Sequence, residues 1–317
     1  MSINGKIEVF GGNSNPALLN KICNYLKLKP GEARVSSFSD GEPDIEILKS
    51  VANKDVFVVQ SMCPPVAHNF IEFTALIDAL KRSAAKRITA VIPYFGYGRQ
   101  DRRKKPGERV PITAKMAADF ITTAGADRIM IMDLHAGQIQ AFFNRPVDNL
   151  FPTPIFQPYL QSTFGADACL VSPDAGGVER TRAMAKRIGA SLAIFDKRRE
   201  EANVVKEMNI IGDVNGLIAV IYDDIADTGG TLRQAAFALK EKGAKEVHAC
   251  CTHGVLSGPA IENIDVSPIS SLVVTDTIPL GPKATACKKI SVISVSELLA
   301  KAIQNINIDE SVSSLFA

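Results

Sequence analysis

An internal repeat constrains the fold more than any other feature of the chain. Laid over one another at a constant offset of 118, residues 113–136 and 231–254 pair Thr113 with Thr231, Ala117 with Ala235, Ala118 with Ala236, Gly125 with Gly243, Ala126 with Ala244 and His135 with His253. Upstream, ITAVIPY (88–94) lies over LIAVIYD (217–223) at an offset of 129. The two offsets differ by 11, an insertion in the first copy that falls in or beside RQDRRKKPGER (99–109); the second copy carries the short DDIADTGG there. Each copy reads as strand, loop, helix and strand, a unit that buries its apolar faces by packing into a sheet. The same rhythm runs through DVFVVQ, VAHNFIEFTALIDALKRSAAKR, RIMIMDL, ACLVSP and ASLAIFD. The pattern predicts an α/β protein with two similar domains, each a parallel sheet flanked by helices. A length of 317 residues suits two such cores. A cleft between domains is then a natural place for a site. At the start, KIEVF reads as a strand, and Asn13 or Ser14 is expected to cap a helix with Pro16 in its first turn.

Charge narrows the range of partners. Lys plus Arg total 36 against 34 Asp plus Glu, a net charge of +2, so no global field points to nucleic acid or an anionic membrane. Any anion site must be local. The opening residues show no basic region followed by a long apolar run, and no apolar stretch reaches transmembrane length, so a cytoplasmic protein without a membrane partner is expected. The six cysteines lie scattered without a CxxC spacing, which predicts reduced, structural thiols.

The local anion site is best sought in IYDDIADTGGT (221–231). GLIAVIY reads as a buried strand and TLRQAAFALKEKGA as an amphipathic helix, so the motif joins a strand end to a helix start. Gly229 and Gly230 can take positive φ and turn successive amides toward one point, while Thr228 and Thr231 add hydroxyls. That is a phosphate cradle, and it lacks the lysine of a Walker loop. Asp223 and Asp224 would repel a bare phosphate, so they are expected to serve what is attached to it, either sugar hydroxyls or a metal. A ribose phosphate satisfies both halves.

VIYDDIADTGGT resembles the phosphoribosyl pyrophosphate motif shared by type I phosphoribosyltransferases and phosphoribosyl pyrophosphate synthetases. FSDGE (38–42), GYGRQDR (96–102), DLHAGQIQAFF (133–143), VSPDAGG (171–177), DKRR (196–199) and CCTHGVLSGPA (250–260) extend the likeness. From GGNSNPAL to SVSSLFA the sequence resembles class I ribose-phosphate pyrophosphokinase. The resemblance implies two phosphoribosyltransferase-like domains. It also implies transfer of the β,γ-diphosphoryl group of MgATP to ribose 5-phosphate, giving AMP and phosphoribosyl pyrophosphate for nucleotide biosynthesis. Residues 1–148 would form the ATP-side domain with a mobile lid at 99–112. Residues 149–317 would bind ribose 5-phosphate, with the C-terminal tail packed back on the first domain.

The same resemblance assigns roles to particular residues. Lys197 and Arg199 are the catalytic cations. Arg99, Gln100 and Asp101 belong to the ATP site, joined by Phe38, Asp40, Gly41 and Glu42 from a neighbouring subunit. Ribose 5-phosphate falls to Asp223, Asp224, Asp227, Thr228, Gly229, Gly230 and Thr231. His135 and Asp174 are the Mg²⁺-associated positions, although imidazole is an unusual partner for a hard cation. A homo-oligomer, a hexamer built from dimers, follows, with phosphate as activator. Departures from the family pattern are Ala52 and Asn53 in SVANKD, where an arginine of the regulatory anion site is usual, Glu200 after DKRR, and Gly254 after His253. Two alternatives are a non-catalytic regulatory paralogue, which altered catalytic segments would mark, and a phosphoribosyltransferase, which would not need the first half.

Overall fold

Runs of Val, Ile and Ala supply strands that can be buried on both faces, which is the requirement of a parallel sheet covered by helices. The computed structural model describes residues 7–197 and 208–316. It divides into two units, one drawn from Met1–Phe151, Thr277–Pro279 and Val295–Ala317, the other from Pro152–Asp276 and Leu280–Ser294.

In the first unit β1 (Ile7–Gly11) leads to α1 (Pro16–Leu26), and β2 (Ala33–Ser37) with β3 (Pro43–Ile47) forms a separate antiparallel hairpin. Then follow β4 (Asp55–Val59), α2 (Val66–Arg82), β5 (Arg87–Ile92), α3 (Thr113–Ala124), β6 (Arg128–Met132) and β7 (Val147–Leu150). The five-stranded sheet has the order β1-β4-β5-β6-β7, all parallel. The cap of α1 is Asn15, whose Oδ1 accepts from the Leu18 amide at 3.2 Å, and neither Asn13 nor Ser14. With Pro16 at the first helical position, the residue directly before it is the one placed to cap. Asn13 instead donates its backbone N–H and its Nδ2 to buried Glu72 at 2.7 and 2.8 Å, and Ser14 Oγ donates to Gln60 Oε1 at 2.8 Å.

The second unit contains α4 (Thr153–Thr163), β8 (Ala168–Ser172), α5 (Val178–Ile188), β9 (Ser191–Lys197), β10 (Met208–Ile211), β11 (Ile218–Ala226) and α6 (Gly230–Glu241). It continues through β12 (Glu246–Gly254), α7 (Ala260–Val266), β13 (Ile269–Thr275), α8 (Pro282–Ala286) and β14 (Ile290–Ile293). The order is β10-β9-β8-β11-β12-β13-β14, parallel except for β10, which runs antiparallel to β9. Ala219 and Ile221 of β11 enter one core cluster and Val220 and Tyr222 another, so this strand is covered on both faces. From β8 the chain steps to β9 on one side, and β11 adds on the other. The order therefore reverses beside β8, which is where open α/β sheets leave a crevice at the C-terminal strand ends.

The repeat is carried into cross-strand register. In the first sheet Thr89 pairs with Arg128, Ala90 with Ile129, Val91 with Met130 and Ile92 with Ile131. In the second, Ile218 pairs with Glu246, Ala219 with Val247, Val220 with His248 and Ile221 with Ala249, the same four pairs moved by 129 on one strand and 118 on the other. The coincident alanines, Ala117 and Ala118 in α3 and Ala235 and Ala236 in α6, are all fully buried where each helix meets its sheet.

Among the described residues no helix is long and apolar enough to cross a membrane. All six cysteines are buried and unbridged. Burial pushes Cys23 and Cys63 up to about 11, so both are thiols at neutral pH.

Helix α9 (Ser296–Asn307) returns to the first unit, where Arg87 anchors it. Its guanidinium donates to Asp55 Oδ1 and Oδ2 at 2.8 and 2.6 Å, to the Ile306 carbonyl at 2.9 Å and to Asp309 at 3.3 Å. Asn307 Nδ2 also donates to Asp55 at 3.0 Å. The Arg87 side chain is 29% exposed and Asp55 13%, so the pair lies between a surface and a buried ion pair. Arg87→Ala is expected to lower the unfolding free energy by about 2 kcal/mol in urea titration and to speed amide exchange in α9.

Candidate active site

The acids of IYDDIADTGGT lie within the strand. β11 runs to Ala226 because β12 stays paired with it through Asp223 with Cys251, Ile225 with His253 and Ala226 with Gly254. Only residues 227–229 form the loop before α6. Asp224 is buried and Asp223 half-buried. Burial, the neighbouring Asp224 charge and, more weakly, Asp174 push the Asp223 carboxyl well above the usual carboxylate range, opposed by the Asp224 amide that donates to Asp223 Oδ1 at 2.9 Å. The Cys251 thiol is pushed up by burial and by Asp223, while Arg180 of α5 acts against this. Such a site calls for a cation or for hydroxyl donors.

Gly229 alone provides the left-handed turn, with φ of 72°, and it caps α6. A Cβ on it would meet the Ala260 carbonyl oxygen at 3.0 Å and Asn263 Cβ at 3.2 Å. Gly230 does not take positive φ. It is the first helical residue, and a Cβ there would meet only Thr228 Oγ1 at 3.7 Å, so its small size leaves the helix start open. Asp227 Oδ1 accepts from Ser257 Oγ at 2.5 Å, and Asn263 Nδ2 donates to the Thr228 carbonyl at 2.9 Å. Ser257 lies within CCTHGVLSGPA (250–260) with no role assigned to it there, and Asn263 lies in no motif, because each acts from 30 or more residues away.

Asp174 follows β8 and is exposed; its Oδ1 accepts from the Gly176 and Gly177 amides at 2.9 and 3.1 Å just before α5. Asp174, Asp223, Asp224 and residues 227–231 thus belong to one unit, on the loops and strand ends beside the reversal of strand order. Lys197 is the last residue of β9, paired with Met208 in the backbone, and Arg199 lies outside the described residues, as does Glu200.

In the first unit, the loop after β5 carries Arg99 and Gln100, both exposed, and Asp101, buried, whose Oδ2 accepts from Gln138 Nε2 at 2.6 Å. Gln138 stands three residues after His135, which is exposed beyond β6, so this bond links the two segments. Gln100 Oε1 accepts from Thr113 Oγ1 at 3.3 Å at the start of α3. Phe38, Asp40, Gly41 and Glu42 form the tip of the β2–β3 hairpin, closed by the Phe38 amide on the Glu42 carbonyl at 2.8 Å and the Glu42 amide on Asp40 Oδ1 at 3.1 Å. Phe38 at this tip is 56% exposed. Among the described residues no group of three or more His, Cys, Asp or Glu side chains is arranged to hold a metal ion unaided. His253, the repeat mate of His135, is buried in β12.

Paired acids at the reversal of a parallel sheet, running into a glycine-turned helix start, define a protein of the phosphoribosyltransferase-like α/β class. Residues 7–125 match the N-terminal domain of ribose phosphate pyrophosphokinase, and residues 198–317 match the phosphoribosyl synthetase-associated domain. A ribose-phosphate pyrophosphokinase of Xylella fastidiosa (strain 9a5c) is 54% identical over 312 residues, covering 98% of this chain and 97% of the relative. One from Burkholderia pseudomallei (strain K96243) is 52% identical over 317 residues, covering 100% and 99%. The crystal structure of phosphoribosylpyrophosphate synthetase from Mycobacterium smegmatis superposes with a TM-score of 0.90 at 36% identity, covering 96% of this chain and all of that one. The chain belongs to the ribose-phosphate pyrophosphokinase family.

Two outcomes test this geometry. Gly229→Ala forces a Cβ into left-handed backbone against a carbonyl and should cost about 2 kcal/mol in urea titration, whereas Gly230→Ala should be neutral or stabilising by up to about 1 kcal/mol. For Asp223, the raised folded value means that the native state holds a proton the unfolded chain releases. That contribution is present at low pH and is lost as pH rises above about 4. Asp223→Asn should therefore be more stable than the parent protein at neutral pH, the difference closing below about pH 4 in parallel thermal melts.

Proposed function

We propose that this protein is a ribose-phosphate diphosphokinase, transferring the β,γ-diphosphoryl group of MgATP to the C1 hydroxyl of ribose 5-phosphate. The observation that carries this reading is the Asp223–Asp224 pair joined directly to the Gly229 turn at the strand-order reversal. Residues 227–231 bind the 5-phosphate with backbone amides and threonine hydroxyls, and Asp223 and Asp224 accept from the ribose hydroxyls. The C1 oxygen bonds to the β-phosphorus as the bond from that phosphorus to the α–β bridging oxygen breaks, and the hydroxyl proton is lost. AMP departs with the bridging oxygen.

Catalysis of this kind rests on alignment and neutralisation of charge, with no protein nucleophile required. Lys197 and Arg199 neutralise the transferred group, and Arg99, Gln100 and Asp101 hold ATP under a mobile lid of residues 99–112. Mg²⁺ bound with ATP would supply further neutralisation of the phosphate oxygens. Mg²⁺ keeps waters and takes one or two carboxylates together with substrate phosphates, a role that Asp174 would fill; Asp174 and His135 are the proposed Mg²⁺-associated positions. The exposed Phe38 tip supports donation of Phe38, Asp40, Gly41 and Glu42 to a neighbouring subunit's ATP site in a hexamer built from dimers. Residues 1–148 form the ATP-side domain and 149–317 the ribose 5-phosphate domain. A cytoplasmic location and activation by inorganic phosphate complete the reading.

Purified protein given ribose 5-phosphate and MgATP should form AMP and phosphoribosyl pyrophosphate in equal amounts, with no ADP. Lys197→Ala should lower kcat by roughly 10²–10³-fold. Absence of AMP at every phosphate concentration would overturn the proposal.

A further inference from the structure

A glycine turn does not choose its own shape: Gly229 has access to many backbone conformations, and something must select the one observed. The segment that follows β12 does so by capturing three successive carbonyls. The Leu256 amide donates to the Ala226 carbonyl at 3.0 Å, the Ser257 amide to the Asp227 carbonyl at 3.1 Å, and Asn263 Nδ2 to the Thr228 carbonyl at 2.9 Å. In a planar trans peptide the C=O and the following N–H point in opposite directions. Turning the carbonyls of 226, 227 and 228 toward this segment therefore turns the N–H groups of 227, 228 and 229 away from it, the arrangement of an anion-binding nest.

We infer that Ser257 and Asn263 are positioning residues that build this nest, the clamp holding the amides that would meet the 5-phosphate; the inference rests on the reading of residues 227–231 as the ribose 5-phosphate site. Each residue holds a second point. Ser257 Oγ donates to Asp227 Oδ1 at 2.5 Å, and Asn263 Oδ1 accepts from an Arg233 NH at 3.1 Å, tying the clamp to the first turns of α6. The clamp is itself fixed: Lys289 Nζ donates to the carbonyls of Ile264, Asp265 and Ser267 at 3.1, 2.9 and 2.9 Å, closing the C-terminal end of α7. Ala260 and Asn263 also occupy the space beside Gly229, leaving room for no side chain there.

Asn263→Leu separates positioning from charge, because it keeps the size, brings no charge near the phosphate, and loses the N–H given to Thr228 together with the acceptor for Arg233. With Ser257→Ala it should raise KM for ribose 5-phosphate about 3- to 10-fold each, with KM for MgATP within twofold and the melting temperature unchanged. Ribose 5-phosphate alone should slow amide exchange across residues 227–231 in the parent protein, and less so in both variants at the same concentration. Lys283→Ala, which removes an exposed partner of Glu262 on the same helix, should leave all of these unchanged. Protection equal in the parent and both variants, or equal rises in both KM values, overturns the clamp alone. No protection in the parent protein overturns the ribose 5-phosphate reading and the clamp's purpose with it.

Discussion

Crowding of carboxyl groups at the end of β11 is the constraint that the pairing and core of the second unit must hold. Asp223 and Asp224 stand side by side, with Asp174 close enough to raise Asp223 further, and free chains would separate such groups or leave them to water. They stay together because β11 is paired on both sides, with β8 through Val171 and with β12 out to Gly254, so the ladder fixes the backbone whatever the side chains prefer. Cohesion comes from the apolar residues before them, Val220, Ile221 and Tyr222, buried between two clusters. The acids are carried by that core and do not contribute to it, which is the usual relation between a functional site and the scaffold that supports it.

Comparison of the two repeats shows how one scaffold serves two loops. At the offset of 129, Tyr94 and Phe95 stand where the second copy has Asp223 and Asp224, and at 118 Pro111 and Ile112 stand where it has Gly229 and Gly230. Tyr94 and Phe95 are buried, and Phe95 packs edge-on against Phe143 at 5.9 Å. The first copy thus keeps the cross-strand register and the buried helix alanines while losing both the carboxylates and the turn that a phosphate nest requires. In their place it carries the long basic segment after β5. Fold is held by the strand pairing, and the two copies differ in what the chain does between Ile92 and Thr113 and between Ile221 and Thr231.

Sequence periodicity shows the central strands and helices because both sheets are covered and, apart from β10, parallel, which makes those strands continuous apolar runs bounded by turn residues; the β2–β3 hairpin and the antiparallel β10 carry no such run. The repeat offsets carry the pairs observed across β5–β6 onto those across β11–β12. What escaped was decided by distant parts of the chain. β11 extends past its apolar run because β12 continues beside it, and no local pattern in DDIA reveals a strand. The choice of Asn15 over Asn13 follows from Glu72, a buried carboxylate 59 residues away that takes the Asn13 amide. Two glycines looked equivalent, yet only Gly229 faces a neighbour, the Ala260 carbonyl, that makes the distinction. Asn263 lies in no motif and Ser257 has no role of its own within CCTHGVLSGPA, and their place in the turn appears only when the carbonyls they capture are known.

The absence of lysine and arginine from residues 223–231 has a physical consequence. A nest made of backbone amides does not titrate, so the attraction it offers an anion is constant across the pH range in which the protein is folded. The carboxylates before the turn are Asp223 and Asp224, which in the proposed function serve the sugar, and the nearby arginines, Arg180 and Arg233, lie outside the segment. Changes of pH in the protein would therefore act through Asp223, whose carboxyl is held well above the usual range, and not through the backbone amides of the turn. Under the proposed function, separating a non-titrating anchor from the acids would let the same loop hold a phosphorylated sugar before and after its anomeric oxygen acquires a diphosphate, since the 5-phosphate end is unchanged by the reaction.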